Sequence, residues 1–261
     1  MTDSRDSDPH AGHRPADPTA GLIIIGDEIL SGRTHDANLP YLAEWLGARG
    51  VPLVEVRVVR DDEAAIVEAV NALSARCAYV FTTGGIGPTH DDITSASVAK
   101  AFGVPLVRDP EAVRRMEAYY ADPSMLNEAR LKMCDVPEGA CLIENPVSAA
   151  PGFCIGNVYV MAGIPRIMQA MLESVAPAIT GGPPLLSRTR RVPLPEGTIA
   201  RALSTLVAEF PEVSIGSYPA FLHGKPSVAV VLRGTDAARL DAAAARFEAQ
   251  ARELGAEAVA E

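Results

Sequence analysis

Apolar positions along the chain follow two alternating patterns. The run Gly21-Leu22-Ile23-Ile24-Ile25 is apolar throughout and β-branched at its end, as in a strand covered on both faces. Residues 54–59 and 79–83 read as two more strands. Between them, residues 38–49 place Leu39, Leu42, Trp45 and Leu46 at helical spacing ahead of Gly50, and residues 62–75 read as a second helix. The order strand, helix, strand, helix, strand predicts right-handed crossovers and an α/β fold, with a mostly parallel sheet and helices on both faces. In such a sheet ligands sit beyond the carboxyl ends of the strands.

Further along, helices are predicted over residues 94–102, 110–120 and 125–132, then an irregular proline-rich stretch over 136–151. A strand over 157–161 leads through Gly163-Ile164-Pro165-Arg166 into a helix carrying Ile167, Met168, Met171 and Leu172. This completes a domain over 20–180. The breakers Thr180-Gly181-Gly182-Pro183-Pro184 read as a linker. Beyond them, strand 189–193, helix 196–209, strands 213–217 and 227–233 and helix 236–254 form a small α+β (βαββα) module over 186–261. Residues 1–19 are rich in Asp, Ser, Pro and His and are expected to be a disordered tail, because they bury too little to offset ordering entropy.

Composition narrows the function. With 33 acidic against 23 basic residues, the chain lacks the basic surplus that general nucleic-acid binding needs, so no nucleic-acid partner is expected. No apolar run reaches the ~20 residues that cross a bilayer, and the polar start has no signal-type segment, so a cytoplasmic protein without a membrane partner is expected. The four cysteines form no CxxC pair and read as reduced thiols.

The strongest chemical signal is Thr82-Thr83-Gly84-Gly85-Ile86-Gly87-Pro88-Thr89-His90-Asp91-Asp92-Ile93-Thr94, between a strand and a helix. Glycines there allow unusual φ and close approach, so bare N–H groups at Gly84, Gly85 and Gly87 can face phosphate oxygens at a helix start. Adjacent Asp91 and Asp92 would repel such an anion unless a divalent cation with oxygen ligands stands between them. A plain strand-to-helix turn with Asp92 or Thr94 as cap is the competing reading. Gly26-Asp27-Glu28, Asp36 and Asn38 follow the first strand, and Arg60-Asp61-Asp62 the second, gathering carboxylates at one sheet edge. The small-residue loops 145–153 and 161–166, with Pro146, Gly152, Gly163 and Pro165, could line a pocket or simply turn the chain. His35 and His90 lack ligand spacing and read as peripheral.

These blocks together resemble the molybdopterin-binding domain superfamily, and more closely the N-terminal domain of the competence/damage-inducible protein A family, over residues 21–179. The matching residues are 25–33 (Ile-Gly-Asp-Glu-Ile-Leu-Ser-Gly-Arg), Asp36, Asn38, Asp61, 83–89 (Thr-Gly-Gly-Ile-Gly-Pro-Thr), Asp91, Asp92 and Thr94. Asn145-Pro146, Ala150-Pro151-Gly152 and residues 163–168 follow. The resemblance implies a three-layer α/β sandwich and a homo-oligomer. It also implies a metal-dependent pyrophosphatase of ADP-ribose- or FAD-like dinucleotides, using magnesium or cobalt with potassium. On that reading Asp92, Asp61 and Asp27 are the candidate catalytic residues and Asp91 and Asp92 the metal ligands. Thr83, Gly84, Gly85, Gly87, Pro88, Thr89, Thr94, Asp36, Asn38, Pro146, Gly152, Gly163 and Pro165 would surround a phosphorylated small molecule, a nucleotide or molybdopterin. Adenylation of molybdopterin and non-catalytic pterin or nucleotide binding are the alternatives. The amidase activity of long family members, which resides in a further domain, is not among the expectations carried over.

Overall fold

A computed structural model describes residues 18–120, 122–222 and 224–261. Chain contacts divide it into two compact units, with the boundary between Gly182 and Pro183. Most of the tail expectation for residues 1–19 lies outside the described residues. Thr19 already belongs to the fold, since its carbonyl accepts the Tyr79 N–H at 3.1 Å.

The first unit runs β1 (Ala20–Ile25), α1 (Asp27–Leu30), α2 (Asn38–Gly47), β2 (Leu53–Val59), α3 (Glu63–Ser74), β3 (Tyr79–Thr83) and α4 (Thr94–Phe102). It continues with β4 (Leu106–Arg108), α5 (Pro110–Tyr119), α6 (Glu128–Leu131), β5 (Asp135–Pro137), β6 (Cys141–Ile143), β7 (Gly152–Ile155), β8 (Val158–Met161) and α7 (Pro165–Val175). Its main sheet has the order β2-β1-β3-β8-β7-β6. β2, β1, β3 and β8 run parallel, while β7 and β6 add antiparallel. A separate antiparallel pair joins β4 to β5.

β1 and β3 are buried at every position, which is why β1 is apolar without alternation and β3 opens on Tyr79-Val80-Phe81 before the buried Thr82 and Thr83. Leu22 and Phe81 pack on one face with Leu42 and Leu46 of α2 and Met168 and Leu172 of α7. Ile23 and Val80 pack on the other with Ile66 and Val70 of α3 and Val98 of α4. The result is a three-layer α/β sandwich. Fully burying one such aliphatic or aromatic side chain contributes about 1.5–3 kcal/mol.

The back of this unit differs from the sequence expectation. The helix expected over 125–132 is broken into 3-10 turns at Pro123–Met125 and Lys132–Cys134 around the four-residue α6. The stretch 136–151, expected to be irregular, supplies most of β5 and all of β6. These strands have three residues each, too short to show a period. The loop after β1 also contains an unexpected short helix, α1.

The second unit comprises β9 (Leu186–Val192), α8 (Glu196–Glu209), β10 (Ser214–Leu222), β11 (Lys225–Gly234), α9 (Ala237–Glu253) and β12 (Val259–Ala260). The sheet order is β10-β11-β9-β12, antiparallel throughout. The unexpected β12 turns βαββα into βαββαβ, a split βαβ arrangement. Val192, Val230 and Leu232 meet Ile199, Leu206, Leu240 and Phe247 in its core.

Candidate functional site

A cavity of 680 Å³ opens in the first unit at the carboxyl ends of β1, β3 and β8. That volume lies within the range of small-molecule sites. Its lining includes Gly26 after β1, Asp61 after β2, Gly84 to Pro88 after β3 and Ala162 to Pro165 after β8. The parallel sheet therefore delivers four loops to one place, as open α/β sheets do.

The glycine turn is held from both sides. Gly84 has φ +103°, and a Cβ there would stand 2.2 Å from the Ile25 carbonyl oxygen. Gly85 has φ +66°, and its Cβ would stand 2.2 Å from Thr94 Oγ1. Thr94, fully buried, fastens the turn to α4: its N–H donates to Gly85 O and its hydroxyl to Gly84 O, each at 3.0 Å. Thr94 is thus a positioning residue and lies outside the cavity lining, against the ligand contact expected of it.

The anion cradle differs from expectation in one member. The Gly84 N–H is spent on the Met161 carbonyl of β8 at 3.2 Å, so it cannot hold a ligand. The N–H groups of Gly85, Ile86 and Gly87 make no hydrogen bond among the described residues, and all three residues line the cavity. Unspent amides beside a cavity are costly unless water or a ligand accepts from them. Gly87 is also packed: its Cβ would meet Asp92 Oδ2 at 2.7 Å.

The carboxylates are sorted by their bonds. Asp92 Oδ2 accepts from the Thr89 N–H at 2.8 Å and from the Thr89 hydroxyl, so Thr89 serves Asp92 and does not line the cavity. Asp61 Oδ2 accepts the Asp27 N–H at 2.9 Å, capping α1. Asp36 Oδ1 accepts the Leu39 N–H at 2.7 Å at the start of α2. Asp61, Asp36, Asp91, Asp92 and Glu28 all line the cavity. Asp27 does not: its carboxylate pairs with Arg60 at 3.0 Å, both exposed, because its amide is turned inward to Asp61.

Asp91 stands exposed with His90 Nδ1 3.9 Å from its carboxylate. The neighbouring Thr89 side chain first, then its own backbone N–H, hold its carboxyl below the ordinary value, with His90 and Lys132 adding smaller pulls. Asp91 and Asp92 do not form a ready chelate, since one Asp92 oxygen is committed to Thr89. Among the described residues no three carboxylate, imidazole or thiol side chains converge as a metal site. Asp61 Oδ1 and Asp92 Oδ1 keep no hydrogen bond among the described residues. Such a donor set fits a hard cation carried mainly by ligand phosphate and water, as magnesium commonly is.

Other expected contacts resolve similarly. Asn38 is buried, lines the cavity and donates from Nδ2 to the Gly163 carbonyl at 2.8 Å, tying α2 to the loop after β8. Gly163 sits close against the glycine turn: a Cβ there would lie 3.2 Å from Gly84 Cα, so a larger residue would press the two loops apart by a few tenths of an ångström. Pro165, at the first turn of α7, and Pro88 line the cavity. Thr83 is buried in β3, Gly152 is buried in β7 with its Cβ position 2.4 Å from Val160 O, and Pro146 is exposed. None of these three lines the cavity. Beside Pro146, buried Asn145 ties the loop through Ser148 Oγ at 2.7 Å and Ala150 O at 2.8 Å.

Sequence reasoning missed Tyr120, Arg130 and Met133, which complete the wall. Arg130 lies over the Tyr120 ring at 4.8 Å. No local motif marks them, since the fold joins the end of α5 to α6.

Comparison with known proteins follows the same division. Residues 21–181 match the family described as "Probable molybdopterin binding domain", and residues 184–258 match "FAD synthase, middle domain". A protein from Archaeoglobus fulgidus is 34% identical over 228 residues, covering 87% of this chain and 95% of its own. A CinA-like protein from Desulfosudis oleivorans is 35% identical, covering 76% of this chain; the match spans about half (51%) of its own length. The crystal structure of CinA from Thermoplasma acidophilum, described as of unknown function, is 34% identical with a TM-score of 0.58. That match covers 63% of this chain and 99% of the solved one. The chain belongs to the molybdopterin-binding domain family, in its CinA-like (competence/damage-inducible protein A) branch.

Proposed function

We propose that this CinA-like chain binds a nucleotide diphosphate at the turn after β3 and hydrolyses its diphosphate linkage with a divalent metal, ADP-ribose and FAD being the model substrates. The observation that carries this reading is the row of unspent N–H groups at Gly85, Ile86 and Gly87, three residues that line the same cavity as Asp61 and Asp92. Backbone donors fixed before binding stabilise phosphoryl charge without reorganising. When bound, magnesium or cobalt would supply charge neutralisation and a more acidic water. Asp61 and Asp92 each offer one oxygen to that cation, while their second oxygens hold the protein's own turns. Glu28 and Asp36, both in the connection between β1 and α2, also line the cavity and can orient water. Potassium, homo-oligomerisation and a cytoplasmic setting belong to the same proposal; among the described residues no helix is long and apolar enough to cross a membrane.

The test is incubation of the whole chain with ADP-ribose and with FAD, each with magnesium or cobalt plus potassium. AMP should appear, and chelation should stop it. No product from either at high enzyme concentration rejects hydrolysis. A second reading, transfer of AMP to molybdopterin, takes its acceptor from the family's description as a probable molybdopterin binding domain over residues 21–181. It predicts adenylated molybdopterin and released pyrophosphate when ATP and molybdopterin replace the dinucleotide in that incubation. Tight calorimetric binding without turnover would leave a pterin or nucleotide binding protein.

A further inference from the structure

Arg130 is the one lysine or arginine in the cavity lining among the described residues, and five carboxylates line the same space. It forms no ion pair with any of them. Its neighbour Arg108 takes the nearby acids instead, Asp135 at 2.8 Å and Glu128 at 3.0 Å. The Arg130 guanidinium rests on the Tyr120 ring, 4.8 Å from its centroid, and Nη1 donates to the Met125 carbonyl. Nε and Nη2 donate to no partner among the described residues.

The platform is firm. Tyr120 and Met133 pack on a small apolar cluster of Ala112, Met116 and Cys134 beneath α5. Asn127 Oδ1 caps α6 by accepting the Arg130 N–H at 3.0 Å. Lys132, two residues on, reaches the Thr89 carbonyl of the glycine turn, so this segment is moored to the loop that bears Asp92. A guanidinium over an aromatic ring with Nη1 already bonded keeps its unspent Nε and Nη2 N–H groups along one in-plane edge. That edge suits two oxygens of one tetrahedral anion.

We propose that Arg130, seated on Tyr120, is a second anion-binding residue, taking one phosphoryl group of a diphosphate while the Gly85 to Gly87 amides take the other. This rests on the reading that the cavity accepts a nucleotide diphosphate, and it goes further in naming what distinguishes that class from a monophosphate. The chain would then select by phosphoryl count, with Arg130 as the discriminating group.

The test is calorimetric titration of the whole chain with ADP and with AMP, both with magnesium, for wild type, Arg130→Ala, Arg130→Lys and Tyr120→Ala. Arg130→Ala should weaken ADP binding about 10- to 100-fold, as charge-assisted hydrogen bonds are lost, and leave AMP binding within about twofold. Arg130→Lys should recover little of the loss, because an ammonium lacks the planar edge. Tyr120→Ala should weaken ADP binding by a smaller factor. Equal losses for ADP and AMP, or no loss for either, overturn the proposal while leaving hydrolysis at the turn standing. Selective ADP binding without turnover retains it and removes only the hydrolase reading. A wild-type chain that binds ADP no better than AMP also overturns it.

Discussion

The turn after β3 and the turn after α4 both pass through glycine in the left-handed region, but their surroundings differ. At Gly84 and Gly85 an added Cβ would strike Ile25 O and Thr94 Oγ1, each at 2.2 Å. At Gly103, with φ +67°, it would meet nothing within 4 Å. Gly103 therefore answers a conformational need alone, that of ending a helix. Gly84 and Gly85 answer that need and a steric one, because the turn is clamped between β1 and α4. Ala149, with φ +62°, completes the series as a left-handed residue without glycine. The backbone angle alone does not show which glycine belongs to a site.

Substitutions grade this difference. Gly84→Ala should be the most damaging, lowering stability by about 4 kcal/mol from backbone strain and overpacking together, measured by urea unfolding of the whole chain. A loss no greater than that of Gly103→Ala would mean the clamp does not exist. Asp92→Asn tests the turn's chemistry apart from its shape. Asparagine can still accept from Thr89, so stability should fall by less than ~1 kcal/mol, while diphosphate hydrolysis should fall about 100-fold through loss of the charged oxygen. Unchanged turnover would make Asp92 merely a cap.

Gly103→Ala should cost about 1 kcal/mol, the strain of a left-handed alanine. Ala149→Gly should act in the opposite sense, gaining ~0.5 kcal/mol as relieved strain exceeds the added entropy of the unfolded chain; thermal melts of the two variants should move in opposite directions. The last effect is acid sensitivity. Because Asp91's carboxyl is held below its ordinary value of 3.8, folding should draw full benefit from it above that pH. The benefit should fade as pH falls through the lower folded value. An NMR titration of the Asp91 side chain placing its midpoint at or above 3.8 contradicts this.

The front of the first unit was legible because its signals are local. β1 is an uninterrupted apolar run, β3 opens on Tyr79-Val80-Phe81, and α4 starts and stops where Thr94 and Gly103 require. The back was not, because β5 and β6 have three residues each and their pairing is set by strands distant in sequence. The candidate site divides the same way. The glycine turn could be read from its residues, but the spending of Gly84's amide depends on Met161 of β8, and Asp27's diversion to Arg60 depends on Asp61 capping α1. Nothing near Tyr120 in sequence foretells Arg130 on its ring.

The contact between Gly163 and Gly84 has its own consequence. Two loops from neighbouring strands touch there backbone to backbone, with no side chain between them. That part of the floor is as thin as polypeptide allows and has nothing to trim or extend. A version of this protein suited to a longer or bulkier guest would have to change the rim, at Tyr120, Ile164 or the loop before α2, and leave that seam alone.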